Sequence, residues 1–285
     1  MAEAADRGEH PGHRSRRLGA AWLLLCAIVF TTAAISLWLV DAGRGNLAPP
    51  YSVQRTDEEG GALLYQLYQR AGIRTRVWDR EFTDLREPGL LLLLDPPPGP
   101  SLGSSSTGDI LPYELDALDR WVQQGNVVAL FSGRQNLLYT HLGLWLPREG
   151  GERHDSAQAA HQGVLTRNVK SLDLTLAAGF RFEPEAPASR FGLEPGEPTS
   201  APKPLIPRNH WVGLFRFPGA SSGSPTAPGK GWPVVAAARG RGLYLAVAEV
   251  VPAGNLGLSQ ADNARFLLNL ASLGPARGTI WLDEY

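Results

Sequence analysis

The first forty residues read as a block rather than a period. Leu18 to Val40 carries no charge across 23 positions. A helix of that length, at ~1.5 Å per residue, crosses a ~30 Å hydrocarbon core with some tilt to spare. Helices buried in soluble proteins are rarely apolar on every face for so long. Trp22 and Trp38 lie near the two ends, where amphipathic rings prefer the lipid–water boundary. The pattern predicts a transmembrane helix over 18–40. Arg14, Arg16 and Arg17 precede it, and Asp41 and Arg44 follow. The positive-inside rule then makes residues 1–17 a cytoplasmic tail and exports the rest. A cleaved signal peptide is the alternative, but its apolar region usually runs ~7–15 residues, and Val40-Asp41-Ala42 is a poor cleavage site. The expectation is an uncleaved signal-anchor in the cell membrane, crossing the bilayer once.

Beyond the span the pattern becomes periodic. Residues 41–50 form a short Gly/Pro tether. Thr56-Asp57-Glu58-Glu59 has the form of a capping box, followed by Leu63, Leu64, Leu67, Tyr68 and Ala71 at helical spacing and by Gly72 at a C′ position. Ile73 to Trp78 alternates like a strand. The leucines 90–94, bounded by Asp95 and three prolines, suit a strand buried on both faces. A Pro/Gly/Ser loop leads to a helix with Pro112 in its first turn, an apolar stripe of Leu115, Leu118, Trp121 and Val122, and Gly125 at its end. Val127 to Phe131 is a second buried strand, and 135–142 predicts one or two helical turns.

The stretch 183–230 differs, with 10 prolines and 6 glycines in 48 residues. Such composition argues against long helices and central strands and predicts an irregular insertion. Trp211, Leu214, Phe215 and Phe217 would pin part of it to the body. Order returns with Val234 to Ala238 and Leu243 to Val250, two strands around an Arg-Gly-Arg-Gly hairpin turn. Ser259 to Asp262 opens a helix striped by Phe266, Leu267, Leu270 and Leu273 and stopped by Gly274-Pro275. Thr279 to Leu282 is a last strand. Strands alternating with helices predict an α/β fold over 51–285, a three-layer sandwich around a mainly parallel sheet.

Composition narrows the function classes. Residues 41–285 carry 23 basic and 25 acidic side chains, a balance that argues against a nucleic-acid partner. The only cysteine, Cys26, lies inside the expected span, so the exported part folds without disulfides.

Four segments together carry a resemblance: Asp57 to Leu64, the buried strand with its proline exit at Leu90 to Pro98, Ala261-Asp262-Asn263-Ala264-Arg265-Phe266-Leu267-Leu268-Asn269, and Trp281-Leu282-Asp283-Glu284-Tyr285. The chain resembles the bacterial membrane-anchored family catalogued as domain of unknown function 4350. The resemblance implies a class I amidotransferase-like or flavodoxin-like α/β layer on a membrane stem. It also implies a place in an envelope assembly linked to an AAA-type ATPase. It implies no activity. Many members continue past the Asp-Glu-Tyr end into a second membrane span, whereas this sequence stops at Tyr285.

Ligands of open α/β sheets bind outside the carboxyl ends of the strands. The expected strands place Asp95, Ser132, Gly133, Arg134, Glu249, Asp283 and Glu284 near that edge. A cysteine amidotransferase fails, since Cys26 is in the membrane span. A serine hydrolase through Ser132 lacks the Gly-x-Ser-x-Gly turn and a histidine after a later strand; Ser132 capping the following helix is the competing account. His154, Asp155 and His161 match no metal-ligand spacing and are expected as exposed loop residues. Gly60-Gly61 follows Asp57, Glu58 and Glu59, which would repel an anion, so close packing explains the pair better. Asp262 and Arg265 suggest an ion pair. The reading favoured is a non-catalytic binding component of an envelope assembly, without metal or cofactor, contacting protein partners and, through 18–40, the bilayer. The alternative is an envelope hydrolase using Ser132 or the strand-edge carboxylates.

Overall fold

The computed structural model describes residues 12–43, 48–96, 110–146, 154–177, 179, 180, 182, 204–218, 232–275 and 278–283. Two compact units, Met1–Leu47 and Ala48–Tyr285, divide the chain. The first contains helix α1, Gly12–Gly43, 32 residues long. Its side chains are described at Trp22 and over 25–40, all exposed and uncharged. Among the described residues no helix is long and apolar enough to cross a membrane. The span expected over 18–40 is therefore not shown by the fold. The expected tether is helical as far as Gly43, and 48–50 belong to the second unit. Residues 1–11 of the expected cytoplasmic tail and 44–47 of the tether lie outside the described residues.

The second unit is built on nine strands: β1 (Thr75–Trp78), β2 (Gly89–Leu94), β3 (Val127–Phe131), β4 (His154–Ala159), β5 (Ser171–Ala177), β6 (Trp211–Arg216), β7 (Val234–Arg239), β8 (Gly242–Val247) and β9 (Thr279–Asp283). They form one sheet in the order β1-β9-β2-β3-β8-β7-β6-β4-β5. The helices are α2 (Ala62–Arg70), α3 (Pro112–Gln123), α4 (Leu137–Leu142), α5 (Asn255–Leu258) and α6 (Asn263–Ala271).

The leucine run of β2 shows why there are three layers. Successive side chains of a strand point to opposite faces. Leu91 and Leu93 join Val128, Leu130 and Ala246 in a core closed by Leu118 and Trp121 of α3 and Tyr139 of α4. Leu90 and Leu92 join Val127, Ala129 and Leu245 in a second core, closed by Leu64 and Tyr68 of α2 and Phe266 and Leu267 of α6. All six residues of β2 are buried. Each fully buried leucine contributes about 1.5–3 kcal/mol, so a run with no polar face is stable only between two layers of helix.

The mixed α/β class stands, and the sheet is mixed, with a parallel half and an antiparallel half. β1, β9, β2, β3 and β8 pair parallel, while β8, β7, β6, β4 and β5 pair antiparallel. The antiparallel half comes from 154–247, including a stretch expected to hold no central strand. β6 sits between β7 and β4 despite the surrounding prolines. Pro207 and Pro218 flank the strand rather than interrupt it, so the ladder loses no donor. Within β6, Trp211 and Phe215 are buried, as is Phe217 just beyond. Gly213 lets the Trp232 ring lie against the backbone, since a Cβ there would stand 2.0 Å from the ring. The rest of the expected insertion, 183–203 and 219–231, lies outside the described residues.

Two helix starts also differ from expectation. Helix α2 begins at Ala62 with Gly61 as N-cap, after the Thr56–Glu59 box rather than on it. The box segment instead folds back: Asn255 donates to the Arg55 and Asp57 carbonyls and accepts from the Leu63 amide. Gly60 and Gly61 pass so close to the backbone of 51–55 that a Cβ on Gly60 would meet the Arg55 carbonyl at 2.0 Å. Helix α6 begins at Asn263, after the Ser259–Asp262 box rather than on it, and the Asp262 side chain makes no capping bond.

Candidate functional site

The parallel strands end at one edge, and the connections leaving them part there. β2 and β3 lead into α3 and α4, which cover one face; β8 leads into α5 and α6 on the other. Neighbouring strands whose helices diverge leave a crevice between their carboxyl ends, here between β3 and β8.

Four of the expected residues meet at this crevice. Asp95 follows β2 in a left-handed conformation (φ 51°), and its amide donates to the Phe131 carbonyl (2.7 Å). That geometry turns the carboxylate toward the next strand end. The Ser132 hydroxyl donates to Asp95 Oδ1 (2.9 Å) and accepts from the Arg134 amide (3.2 Å). The Arg134 guanidinium pairs with the same carboxylate, its side chain 61% exposed against 14% for Asp95. Gly133 passes Glu249 so closely that a Cβ would lie 3.3 Å from Oε1. That oxygen accepts from the amides of Val250 (2.8 Å) and Val251 (3.4 Å), fixing the turn after β8.

Burial and like charge set the protonation of the cluster. Burial raises the Glu249 carboxyl above the usual carboxylate range, with the nearby Asp95 charge adding to the shift and the two amides opposing it. Tyr51, which sequence reasoning missed, also belongs here. Its ring lies against Gly254, and burial, Glu249 and Asp95 push its phenol up to about 12. A lone tyrosine ahead of a loop carries no motif; its place became visible only when the β8 turn and the 51–61 loop were brought together.

Ser132 is fully buried, and its hydroxyl is occupied on both sides. It does not cap α4; Asn136 does, accepting from the Tyr139 amide at 2.8 Å. No described histidine bonds to it. His141 lies on α4 with Nε2 buried and unpartnered, and His161 Nε2 donates to the Gly213 carbonyl (2.7 Å). Asp283 ends β9 in register with Trp78 on the far side of β2, so the structure does not bring it to this crevice. Glu284 lies outside the described residues.

Other expectations resolve locally. His154 and Asp155 begin β4 rather than sit in a loop, and no group of metal-ligating side chains occurs among the described residues. Asp262 gives Oδ2 to the amides of Lys170 (2.7 Å) and Ser171 (3.4 Å) instead of pairing with Arg265.

No family model and no curated protein matches the sequence. Among solved structures the chain is similar to a cytoplasmic protein, STM1381, from Salmonella typhimurium LT2, at 11% identity over 76% of this chain and 89% of that one, with a TM-score of 0.48. It is similar to the N-terminal domain of mmIFT52 at 11% identity over 73% and 86%, with a TM-score of 0.44. A β-galactosidase from Bacillus circulans sp. alkalophilus matches at 15% identity and a TM-score of 0.31, the likeness spanning 20% of that enzyme. Likenesses this distant carry no functional argument.

Proposed function

We propose that the chain is a single-pass membrane protein whose α/β unit, held outside the cytoplasm, binds a ligand or protein partner at the β3–β8 crevice without catalysis. The observation that carries the non-catalytic reading is the state of Ser132. A nucleophilic serine needs an accessible hydroxyl and a base to take its proton. This one has zero exposure, is held as a hydrogen-bond donor to Asp95, and meets no described histidine. The Tyr51 phenol, raised to about 12, stays protonated and offers no base at neutral pH. Arg134, exposed and held by Asp95, presents a fixed guanidinium at the crevice mouth, a common anchor at interfaces.

Membrane attachment rests on the uncharged run 18–40 within α1 and on the arginines ahead of it. Membership of the family named above, and a partner linked to an AAA-type ATPase, rest on the four matching segments and remain part of this proposal.

Glu249 favours the second reading, an envelope hydrolase. A carboxyl raised by burial at a sheet's switch point is a plausible general acid or base on physical grounds. In-cell crosslinking of the unaltered full chain by a soluble bifunctional reagent separates the two. Capture of a defined protein or envelope ligand, lost on Asp95→Ala, supports binding. Hydrolysis of envelope material by the purified full chain, abolished by Glu249→Gln or Ser132→Ala, overturns it.

A further inference from the structure

A second concave site lies away from the crevice, with β7 and β6 standing between β8 and the β4–β5 pair. The connection from β4 to β5 runs over 160–170 and lines an open concavity of about 660 Å³. That volume falls in the range of small-molecule pockets. Its lining includes His161, Gln162, Thr166, Arg167, Asn168 and Lys170, and contains no acidic side chain.

The loop is far longer than its task requires. Antiparallel neighbours are commonly joined by two to five residues or so. The extra length is fastened rather than left slack. Thr166 donates to the His161 carbonyl (2.6 Å) and accepts from the Gly163 amide (2.8 Å). Asn168 turns the chain in a left-handed conformation (φ 57°). Asn269 of α6 donates to the carbonyls of Leu165 (3.1 Å) and Arg167 (2.9 Å), and Asp262 holds the Lys170 amide. The His161 ring lies nearly parallel to Trp232, and its Nε2 is fixed on the Gly213 carbonyl. Leu165 and Val169 root the loop in the core.

The cationic groups are not spent within the protein. Arg167 and Lys170 are exposed, and neither forms a side-chain ion pair among the described residues. Asp262, a carboxylate beside this loop, faces the backbone amides of Lys170 and Ser171. A concavity with two cations unpaired among the described residues, and with the side-chain amides of Gln162 and Asn168, suits an anion of tetrahedral or carboxylate form. Arginine binds phosphate in a bidentate fork and lysine adds a point charge.

We propose that the 160–170 loop is a binding site for a phosphate-type anion, either free or as the headgroup of a lipid. The proposal does not depend on the reading of the β3–β8 crevice. It is tested on the full chain in neutral detergent by isothermal titration calorimetry with two probes: inorganic phosphate, and a short-chain phosphatidylglycerol held below its micelle concentration. Binding of either probe, weakened at least tenfold in Arg167→Gln/Lys170→Gln with an unchanged thermal midpoint, supports the site. Phosphate binding alone marks a free anion as the source, and lipid binding alone marks a headgroup. The variant Arg86→Gln/Arg120→Gln, which alters a smaller groove beside α3, is expected to bind as the parent does. Failure of both probes to bind, or equal binding by the Arg167/Lys170 variant, overturns the proposal.

Discussion

Glu249 and His141 shift the pH dependence of stability in opposite directions. Burial raises the Glu249 carboxyl above its ordinary value of 4.5. Between that value and the raised one, the folded chain holds more protons than the unfolded chain, so stability falls as pH rises through the window. Glutamine keeps an acceptor for the Val250 amide and removes the charge. Glu249→Gln is therefore expected to raise the thermal midpoint at pH 7 and to change it little at pH 4. An equal gain at both pH values would refute the assignment. For His141, burial lowers the imidazole below 6.5, with Asp119 and Asp116 pulling it back and Arg239 reinforcing the shift. The folded chain then holds fewer protons, and stability present above 6.5 is lost as pH falls through the window. His141→Leu should flatten the acid side of the stability profile below pH 6.5, measured by thermal unfolding. Ser132→Ala tests the structural role of the hydroxyl. It strands the Arg134 amide and one Asp95 lone pair, so a loss of about 1–3 kcal/mol in denaturant unfolding is expected.

At the scale of elements, the pattern was legible wherever hydrophobicity alone decided the structure. β2 and β3 are uniformly apolar because both faces are covered, and α3 shows its stripe, its Pro112 start and its Gly125 stop in the letters themselves. β4 was not legible, whereas β5 alternates Leu172, Leu174 and Leu176 with polar residues and was open to reading. His-Asp-Ser-Ala-Gln-Ala has weak strand composition, and it pairs because β5 and β6 flank it. β6 was hidden by composition averaged over a window that included its proline borders; its own six residues alternate from buried Trp211 to buried Phe215. The Asp-Asn-Ala-Arg-Phe-Leu-Leu-Asn segment works as a strap. Asp262 holds the amides of Lys170 and Ser171, Asn263 bonds the Asp173 amide and the Gly257 carbonyl, and Asn269 holds the loop carbonyls. Gly213→Ala tests the β6 placement. A methyl group driven into the Trp232 ring must move β6 or the indole, at an expected cost of about 1–3 kcal/mol or more by chemical denaturation. A neutral result would show that β6 does not pack there.

At the scale of the whole molecule, α1 stands apart. In the folded α/β unit, apolar surface is consumed between sheet and helices, whereas the described side chains of α1 are exposed without exception. A row of exposed Ile28, Val29, Phe30, Ile35, Leu37 and Leu39 is costly in water and favourable in lipid. The proposed anchor therefore predicts that the full chain resists alkaline carbonate extraction from membranes. Arginine at the centre of a span costs roughly 2.5–3.5 kcal/mol on insertion scales. Ile28→Arg/Val29→Arg should accordingly shift much of the chain into the soluble fraction, while the remote Gly213→Ala should not. Orientation is tested separately. A reporter active only outside the cytoplasm, fused after Tyr285, is expected to be active, and replacing Arg14, Arg16 and Arg17 by Gln should lower its signal by weakening the positive-inside bias. Carbonate extraction of the unaltered chain would remove the anchor from the account. An inactive tail reporter on a membrane-bound chain would instead reverse its direction and place the crevice on the cytoplasmic side, where the envelope partner proposed for it could not reach.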